Sequence, residues 1–356
     1  MKIGFLVKDI TISGGVERVV TTLANHFSSV YGYRVNIYSL SKKRNDSLPY
    51  DLHSSISVKY LGYKVSSLDK SYKACLKELA FLYKKLRKEQ IDILITTTTF
   101  HNVYFSIMAP ILKYKVIGSH HEEYQSDTSK WNRLKKIFYR NLHGVVVLTQ
   151  SDYMNYRNYN HNVRVIPNSI PFKREYAFNE KNKKIIMVGR LSSEKSMEYG
   201  IKGFAQLVNK HTEWELEIIG DGPQKDNLNN LIENLNLDKK VYITNFTKNI
   251  EQKYKEAAFT MLTSQKEGFG CVLIESFAKG IPVISFNNVG PSEIIKNNET
   301  GYLIEKNNLL ELEQAVEYLI VNSEKRRELS LNAYEQSSKY SLEEVCELWI
   351  DLIGSN

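Results

Sequence analysis

Two carboxylates eight positions apart flank a glycine-rich turn in the second half of this 356-residue chain. Glu267 lies on the turn, which follows an apolar run, and Glu275 lies in the helix predicted to come next. Gly268 and Gly270 permit positive φ, so the backbone there can approach a ligand closely. An anion docked at the start of the helix would have a carboxylate on either side, and each could accept hydrogen bonds from hydroxyl groups.

The start of that helix supplies the anion site. Phe269 completes the turn, and the backbone amides of Cys271, Val272 and Leu273 are predicted to be the unpaired donors of a helix N-terminus, where negative charge is stabilised. A nucleotide sugar has this arrangement, because its diphosphate lies between two hydroxyl-bearing groups. The alternative is a packed helix with one solvated and one buried glutamate.

The stretch 264–301 resembles the E-x7-E signature of the family-4 retaining glycosyltransferases, which have the GT-B fold. Segments 14–18, 188–195 and 220–223 follow the order of that family's motifs, and together the motifs are specific although each alone is weak. The resemblance spans residues 1 to 304. It implies that Glu267 faces the donor sugar and that Glu275 holds the ribose.

Arg190 and Lys195 follow a predicted strand at 184–189, where parallel sheets bind ligands. Breaking the donor bond leaves a nucleoside diphosphate, and fixed cations stabilise the charge that develops on its phosphate. The resemblance assigns that role to this pair and places Gly189 in the donor site. The family usually has glycine after the lysine, whereas this chain has Ser196. Two surface cations at a helix start are the alternative.

Further donor contacts are predicted at other strand ends. Gly14 and Gly15 close the first strand-to-helix turn and would let the backbone approach the diphosphate. Gly220 and Asp221 resemble the family's turn beside the nucleotide base, and Phe246 is a candidate for the edge of the base. For the turns at 14–15 and 220–221, simple βα packing is the competing interpretation.

His120 and His121 follow a predicted strand at 115–119. Related enzymes carry a histidine here that points at the donor sugar; we favour His121 and keep His120 as the alternative. Adjacent histidines diverge on an extended chain and no third ligand is in register, so we predict no metal site. We therefore expect a metal-independent enzyme with no cofactor beyond the nucleotide-sugar co-substrate.

Composition narrows the class of protein. No run of 18 consecutive apolar residues occurs, so no transmembrane helix is expected, and residues 1–7 read as a buried strand rather than a signal peptide. Cys75, Cys271 and Cys346 are widely separated, which favours a reducing compartment over a disulfide framework or a zinc site. We expect a cytoplasmic protein.

Charge is unevenly distributed. Residues 1–170 contain 25 Lys and Arg against 12 Asp and Glu, a net of +13, whereas the remainder contains 23 against 28, a net of −5. The basic segments 70–88 and 129–140 have amphipathic spacing, and such helices can lie on anionic lipid. An ordinary core-facing helix is the alternative. No motif favours nucleic acid, so we expect association with the inner face of the plasma membrane.

Apolar runs alternate with helix-length segments throughout, which predicts an α/β protein with two doubly wound parallel sheets. Strands are predicted at the positions 2–7, 35–40, 91–96, 115–119, 144–149, 163–167, 184–189, 215–219, 241–245, 259–264, 282–286 and 301–304. We predict an acceptor-side Rossmann-like domain at 1–170, a nucleotide-sugar domain at 171–340, and a final helix at 341–356. In the GT-B fold that helix packs back on the first domain, although a helix within the second domain fits the pattern equally.

These observations predict a retaining hexosyltransferase-type enzyme that moves a sugar from a nucleotide diphosphate, with UDP expected, to a glycan or lipid-linked acceptor in bacterial surface polysaccharide assembly. A sugar-nucleotide epimerase of the same fold and a non-catalytic nucleotide-sugar or glycan-binding relative are the alternatives.

Overall fold

The structure is a computed structural model that describes residues 1–42, 48–63, 72–124 and 129–355. The chain divides into two compact units. The first consists of Met1–Pro167 together with Val345–Asn356, and the second consists of Asn168–Glu344. These bounds differ by a few residues from the predicted breaks at 170 and 340. Lys70, in one predicted basic segment, lies outside the described residues.

The first unit contains a seven-stranded parallel sheet in the order β3-β2-β1-β4-β5-β6-β7. Its strands are β1 (Lys2–Val7), β2 (Arg34–Ser39), β3 (Ser57–Tyr60), β4 (Ile93–Thr96), β5 (Lys115–Ser119), β6 (Gly144–Val147) and β7 (Val163–Val165). The helices between them are α1 (Gly15–Ser29), α2 (Tyr72–Leu86), α3 (Thr99–Met108), α4 (Ser129–Phe138) and α5 (Gln150–Tyr156). The central strands β4 and β6 are buried along their whole length, as expected for a parallel sheet covered on both faces.

The second unit contains a six-stranded parallel sheet in the order β10-β9-β8-β11-β12-β13. Its strands are β8 (Lys184–Val188), β9 (Glu215–Ile219), β10 (Val241–Thr244), β11 (Ala257–Leu262), β12 (Val283–Phe286) and β13 (Gly301–Ile304). Its helices are α6 (Met197–Ala205), α7 (Lys225–Asn234), α8 (Ile250–Glu256), α9 (Cys271–Ala278), α10 (Val289–Ile294), α11 (Leu309–Val321) and α12 (Ser323–Gln336). The predicted architecture of two doubly wound parallel sheets is confirmed.

The sequence pattern missed one strand, β3. Its four residues, Ser-Val-Lys-Tyr, are all partly or fully exposed at the sheet edge. An edge strand that buries little apolar surface has no continuous apolar run, and that run is the signal by which the other strands were found.

The last helix, α13 (Leu342–Gly354), begins after Ser341, whose hydroxyl accepts a hydrogen bond from the Glu344 amide at 3.3 Å. From Val345 onward the chain belongs to the first unit. Ser355 accepts a hydrogen bond from Asn162 at 2.9 Å, which fixes the end of the chain there. Val345, Trp349, Leu352 and Ile353 are buried, but Leu348 is 44% exposed, so the apolar face is narrower than the i, i+3, i+4, i+7, i+8 spacing of these five residues predicts.

Candidate active site

Both sheets reverse their strand order beside the first strand of the unit. In the second unit the chain adds β9 and β10 on one side of β8 and then returns to place β11 on the other side. Open parallel sheets bind ligands at such a reversal, beyond the carboxyl ends of the strands. Lys195 follows β8 and Glu267 follows β11, so the reversal brings together two predicted site residues that are 72 positions apart.

These two residues form an ion pair. Lys195 Nζ donates to Glu267 Oε2 at 2.6 Å, and the side chains are 26% and 14% exposed, respectively. The hydroxyl of Ser264 donates to the same carboxylate oxygen at 3.2 Å. A phosphate that takes Lys195 as its partner must therefore compete with Glu267. Arg190 lies on the same loop as Lys195, and its exposed side chain makes no hydrogen bond or ion pair with the described residues.

Two hydrogen bonds to backbone carbonyls fix the loops that present the ion pair. The Gln265 amide donates to the Glu194 carbonyl at 2.8 Å, and the Thr263 hydroxyl donates to the Ser196 carbonyl at 2.8 Å. Each contact joins the loop after β8 to the loop after β11. The lysine and the glutamate are thus held together by backbone as well as by charge.

The departure from the family pattern at Ser196 has a structural cost. Ser196 adopts a left-handed conformation with φ 44° and ψ 46°, which disfavours residues with a side chain. Its hydroxyl donates to the Ser193 carbonyl at 2.9 Å and partly offsets that cost. The family's usual glycine and this serine therefore satisfy the same backbone requirement.

The glycines after β8 and β9 pack two turns against each other. A Cβ on Gly220 would lie 1.9 Å from the Gly189 carbonyl oxygen, and Gly222, at φ +156°, would bring a Cβ within 2.4 Å of the Leu191 carbonyl oxygen. The Leu191 amide also donates to the Asp221 carbonyl at 2.9 Å. Packing between turns, the alternative interpretation of the Gly220 turn, accounts for Gly220, whereas Gly189 has room for a Cβ but adopts φ +154°. Their contact with a donor stays a prediction.

Asp221 and Phe246 lie at neighbouring strand ends. The Asp221 carboxylate accepts a hydrogen bond from the Gly222 amide at 2.9 Å, which closes its own turn. Phe246 follows β10 and is 41% exposed. Both side chains are thus on the carboxyl edge of the sheet, and their predicted roles beside the nucleotide base remain predictions.

The turn before α9 contains the positive φ that was predicted for Gly270. Gly270 is the N-cap at φ 96°, and a Cβ there would lie 2.8 Å from Leu273 Cδ1. One predicted donor is wrong, because the Leu273 amide donates to the Gly270 carbonyl at 2.9 Å and tightens the first turn. The Val272 amide has no backbone acceptor among the described residues, and Cys271 Sγ accepts a hydrogen bond from Asn168 at 3.3 Å. Gly268 and Phe269 complete the turn, and Phe269 is buried.

Glu275 lies on a face of α9 that other residues cover. It is fully buried, and its Oε2 accepts a hydrogen bond from the buried hydroxyl of Tyr254 at 3.1 Å. A ribose could reach this carboxylate only if the covering side chains move. The ribose-binding role of Glu275 therefore stays a prediction, and it carries this structural requirement.

Asn288, which the sequence interpretation missed, supports the turn from the next strand. Its Nδ2 donates to the Ser264 carbonyl at 2.8 Å, and the Gly290 amide donates to the Glu267 carbonyl at 3.2 Å. A Cβ on Gly290 would lie within 2.5 Å of the Phe269 backbone. An asparagine two residues after an apolar strand and two residues before a glycine was the available signal.

In the first unit, Gly14 is the extended N-cap of α1 and Gly15 begins the helix. A Cβ on Gly14 would lie 2.1 Å from a carboxylate oxygen of Glu17, whereas a Cβ on Gly15 would meet nothing within 4 Å. A Cβ on Gly14 would have to displace the Glu17 carboxylate, and packing leaves Gly15 unexplained. Because β1 borders the order reversal of this sheet, the turn lies where a ligand is expected.

The structure distinguishes the two histidines after β5. His120 is buried, and its ring contacts the hydroxyls of Tyr139 at 3.0 Å and Tyr156 at 3.3 Å. Burial and the Lys135 charge hold its pKa well below the usual range. His121 is half-buried, contacts the Ser119 hydroxyl at 3.2 Å, and has its pKa lowered to about 4 by burial. His121 is therefore the less buried of the two candidates, and at neutral pH its ring is uncharged.

One basic side chain of the segment 129–140 is not exposed to solvent. Lys135 is fully buried, donates to the Tyr156 hydroxyl at 2.6 Å, and lies over the Tyr124 ring at 5.2 Å. It belongs to the core beside His120. The other basic residues of this segment, Lys130, Arg133, Lys136 and Arg140, are exposed.

Within the described part of the chain, no group of three or more His, Cys, Asp or Glu side chains could hold a metal ion. No helix in that part is long and apolar enough to cross a membrane. Metal-independent transfer, with Lys195 and Arg190 as the phosphate-binding cations, stays a prediction.

Comparisons with known proteins show which family the chain resembles. Residues 13–174 match the model of Glycosyltransferase Family 4, and residues 169–336 match that of Glycosyl transferases group 1. An uncharacterized glycosyltransferase of Haemophilus influenzae is 28% identical over 355 residues, covering 98% of each chain. The Campylobacter jejuni α-1,4-N-acetyl-D-galactosaminyltransferase named for a diNAcBac-PP-undecaprenol-linked saccharide is 26% identical, covering 99% of this chain and 98% of that one.

Solved structures share the fold. A point mutant of S. aureus TarM, in complex with fondaparinux, α-GlcNAc-glycerol and UDP, superposes with a TM-score of 0.78 at 18% identity, covering 99% of this chain and 100% of the other. The architecture is that of the GT-B glycosyltransferases. The chain belongs to the family-4, group 1 glycosyltransferases and is an enzyme of the transferase class.

Proposed function

We propose that the protein is a retaining glycosyltransferase that moves a sugar from a UDP-sugar to a glycan or lipid-linked saccharide during assembly of a bacterial surface polysaccharide. The observation that carries the proposal is the Lys195–Glu267 ion pair at 2.6 Å, at the order reversal of the second sheet and on the loops that also present Arg190 and the start of α9. A cation for phosphate and a carboxylate for sugar hydroxyls are thereby adjacent.

The names of two related proteins support the substrate class. UDP is bound in the TarM structure, which favours a UDP-sugar donor. The Campylobacter jejuni relative is named for a saccharide on a PP-undecaprenol carrier, which favours a lipid-linked acceptor.

The geometry suggests how donor binding starts the reaction. When a diphosphate enters beside Lys195, the lysine leaves Glu267 and pairs with a phosphate oxygen. The released Glu267 carboxylate can then accept hydrogen bonds from the donor sugar. As the bond from the sugar to the β-phosphate breaks, Lys195 and Arg190 stabilise the growing phosphate charge. The acceptor hydroxyl attacks the same face and gives its proton to the leaving phosphate oxygen, so the anomeric configuration is retained. No protein nucleophile is required.

We also propose that the transfer is independent of metal, because Lys195, Arg190 and the amides at the start of α9 supply the positive potential that a divalent ion would otherwise provide. Activity should then survive EDTA. Complete loss of activity in EDTA with recovery in Mg²⁺ or Mn²⁺ would contradict this assignment.

Membrane association through the first unit is a further part of the proposal, and it would place the enzyme at the inner face of the plasma membrane. Helix α2 presents exposed Lys77, Lys84 and Lys85, and its one carboxylate, Glu78, is 1% exposed and lies 3.8 Å from His101. Each exposed cation near an anionic surface contributes about 1 kcal/mol. Co-sedimentation with anionic but not with zwitterionic vesicles is the test.

The transfer itself is tested with purified protein and a panel of UDP-, GDP- and dTDP-sugars. We expect UDP-sugars to raise the melting temperature most and to release UDP when a saccharide acceptor is added. An epimerised donor in the absence of acceptor would instead support an epimerase. Binding with neither transfer nor slow donor hydrolysis would indicate a non-catalytic protein.

A further inference from the structure

The amino-terminal edge of the first sheet, opposite the edge that carries the histidines, forms an open cavity of about 710 Å³. We call it the amino-edge basin. It lies where β4, β5 and β6 begin, and residues just before these strands line it. None of the residues assigned to transfer lines this basin, so its chemistry is separate from the site described above.

The lining is strongly basic. Five of its side chains, Lys113, Lys115, Arg140, His143 and His161, are basic. Asp92 is the one carboxylate among the described lining residues, and its Oδ2 accepts a hydrogen bond from the Lys2 amide at 2.7 Å. Lys115 donates to the Ser355 carbonyl at 3.1 Å, which is a neutral partner. The basin therefore concentrates positive charge that its own carboxylate does not balance.

His143 adds a polar atom that lacks a partner. Its Nε2 is buried and makes no hydrogen bond with the described residues. A buried polar atom left unpaired is costly, so such an atom in a basic cavity favours a ligand that pairs with it. Burial and the Lys115 charge lower the pKa of His143, while a hydrogen bond to the Leu352 backbone raises it. An anion in the basin would favour the protonated, donating ring.

We propose that the amino-edge basin binds a phosphate-bearing anion, with Lys113, Arg140 and His143 as its principal partners. Lysine and arginine are the usual partners of phosphate oxygens. Two sources share this chemistry, a phospholipid headgroup and a free phosphate ester. Apolar residues at the rim favour the lipid, since Ala109 and Leu112 line the basin and Ile111, between them in sequence, is 65% exposed. The lipid source deepens the proposed membrane association and depends on it, whereas phosphate binding does not.

The test compares two variants of the full chain that lose the same charge. Lys113→Gln with Arg140→Gln removes two exposed basin cations, and Lys77→Gln with Lys84→Gln removes two exposed cations on α2, outside the basin. Glycerol 1-phosphate is titrated into each protein while the histidine ring signals are followed by NMR. We expect the His143 and His161 signals of the unmodified chain to shift. At about fivefold for each cation, the basin variant should bind about 25-fold more weakly, and the α2 variant should stay within about twofold.

Vesicles of phosphatidylcholine with and without phosphatidic acid then separate the two sources. If glycerol 1-phosphate displaces the unmodified protein from phosphatidic acid vesicles but does not displace the basin variant, the site binds the lipid headgroup. Unchanged vesicle binding by a basin variant that no longer binds glycerol 1-phosphate assigns it to a free phosphate ester. Absence of the histidine shifts, or equal weakening in both variants, overturns the proposal. Sugar transfer to a saccharide without lipid is measured in parallel, because it reports on the proposed function independently of the basin.

Discussion

The exchange of Lys195 between Glu267 and a phosphate can be tested by removing each partner in turn. In Lys195→Met the cation is lost while most of the side-chain stem is kept. Because the pair is partly exposed, at 26% and 14%, its removal should lower the free energy of unfolding by only about 1 kcal/mol. Turnover should fall by about 100-fold or more, as when one stabilising donor is removed from a developing oxyanion.

Glu267→Gln makes the opposite change, because it releases Lys195 from its carboxylate. UDP no longer has to compete with a carboxylate for the lysine, so UDP should bind this variant at least as tightly as it binds the unmodified chain. For a pair worth about 1 kcal/mol, the gain in affinity should be at most about fivefold. Transfer should nevertheless fall, since the carboxylate that faces the donor sugar is gone.

Calorimetry with UDP and initial rates of transfer measure both effects. Lys202→Met, which removes an exposed lysine on α6, is the matched control and should change neither quantity. The exchange is refuted if Glu267→Gln weakens UDP binding by about tenfold, or if Lys195→Met leaves turnover at the level of the control.

Three further results are expected. Glu275→Gln should weaken UDP binding by about 1–3 kcal/mol in calorimetry, the range for a charge-assisted hydrogen bond, and unchanged binding would remove the ribose role. Gly220→Ala should lower the free energy of unfolding by about 3 kcal/mol or more, because its Cβ would meet backbone at 1.9 Å, whereas Gly15→Ala, with nothing within 4 Å, should melt normally in calorimetric scans. The folded-state pKa of His121 is about 4, so between the unfolded pKa of histidine and pH 4 the unfolded chain binds more protons than the folded chain. The free energy of unfolding should therefore fall as the pH drops through that window, by at most about 3 kcal/mol. Denaturant titrations of His121→Asn should show a shallower fall.

The sequence patterns were most informative where one physical requirement dominates. Buried parallel strands must be apolar along their length, so the central strands could be identified from their apolar runs. Gly270 could be predicted at positive φ because the turn into α9 needs that conformation. The edge strand β3 could not be found in this way. Its residues are exposed, and only pairing with β2 makes it a strand.

The details of the site depend on tertiary contacts that no local pattern contains. The spacing of the basic segment 129–140 does not show that Lys135 points into a cluster of tyrosines, and adjacency in sequence does not show that His121 is less buried than His120. Nor does a glycine-rich turn reveal that the Leu273 amide closes on Gly270. Each of these depends on which side chain the neighbouring elements cover.

The most direct test of the central claim is the anomeric configuration of the product. The protein is incubated with the UDP-sugar that stabilises it most and with a lipid-linked saccharide acceptor, and the new glycosidic linkage is examined by NMR alongside the Lys195→Met variant. We expect release of UDP and a linkage with the same anomeric configuration as the donor, and the rate of UDP release and of product formation should be about 100-fold lower in the variant. An inverted linkage, or transfer that does not depend on Lys195, would contradict it.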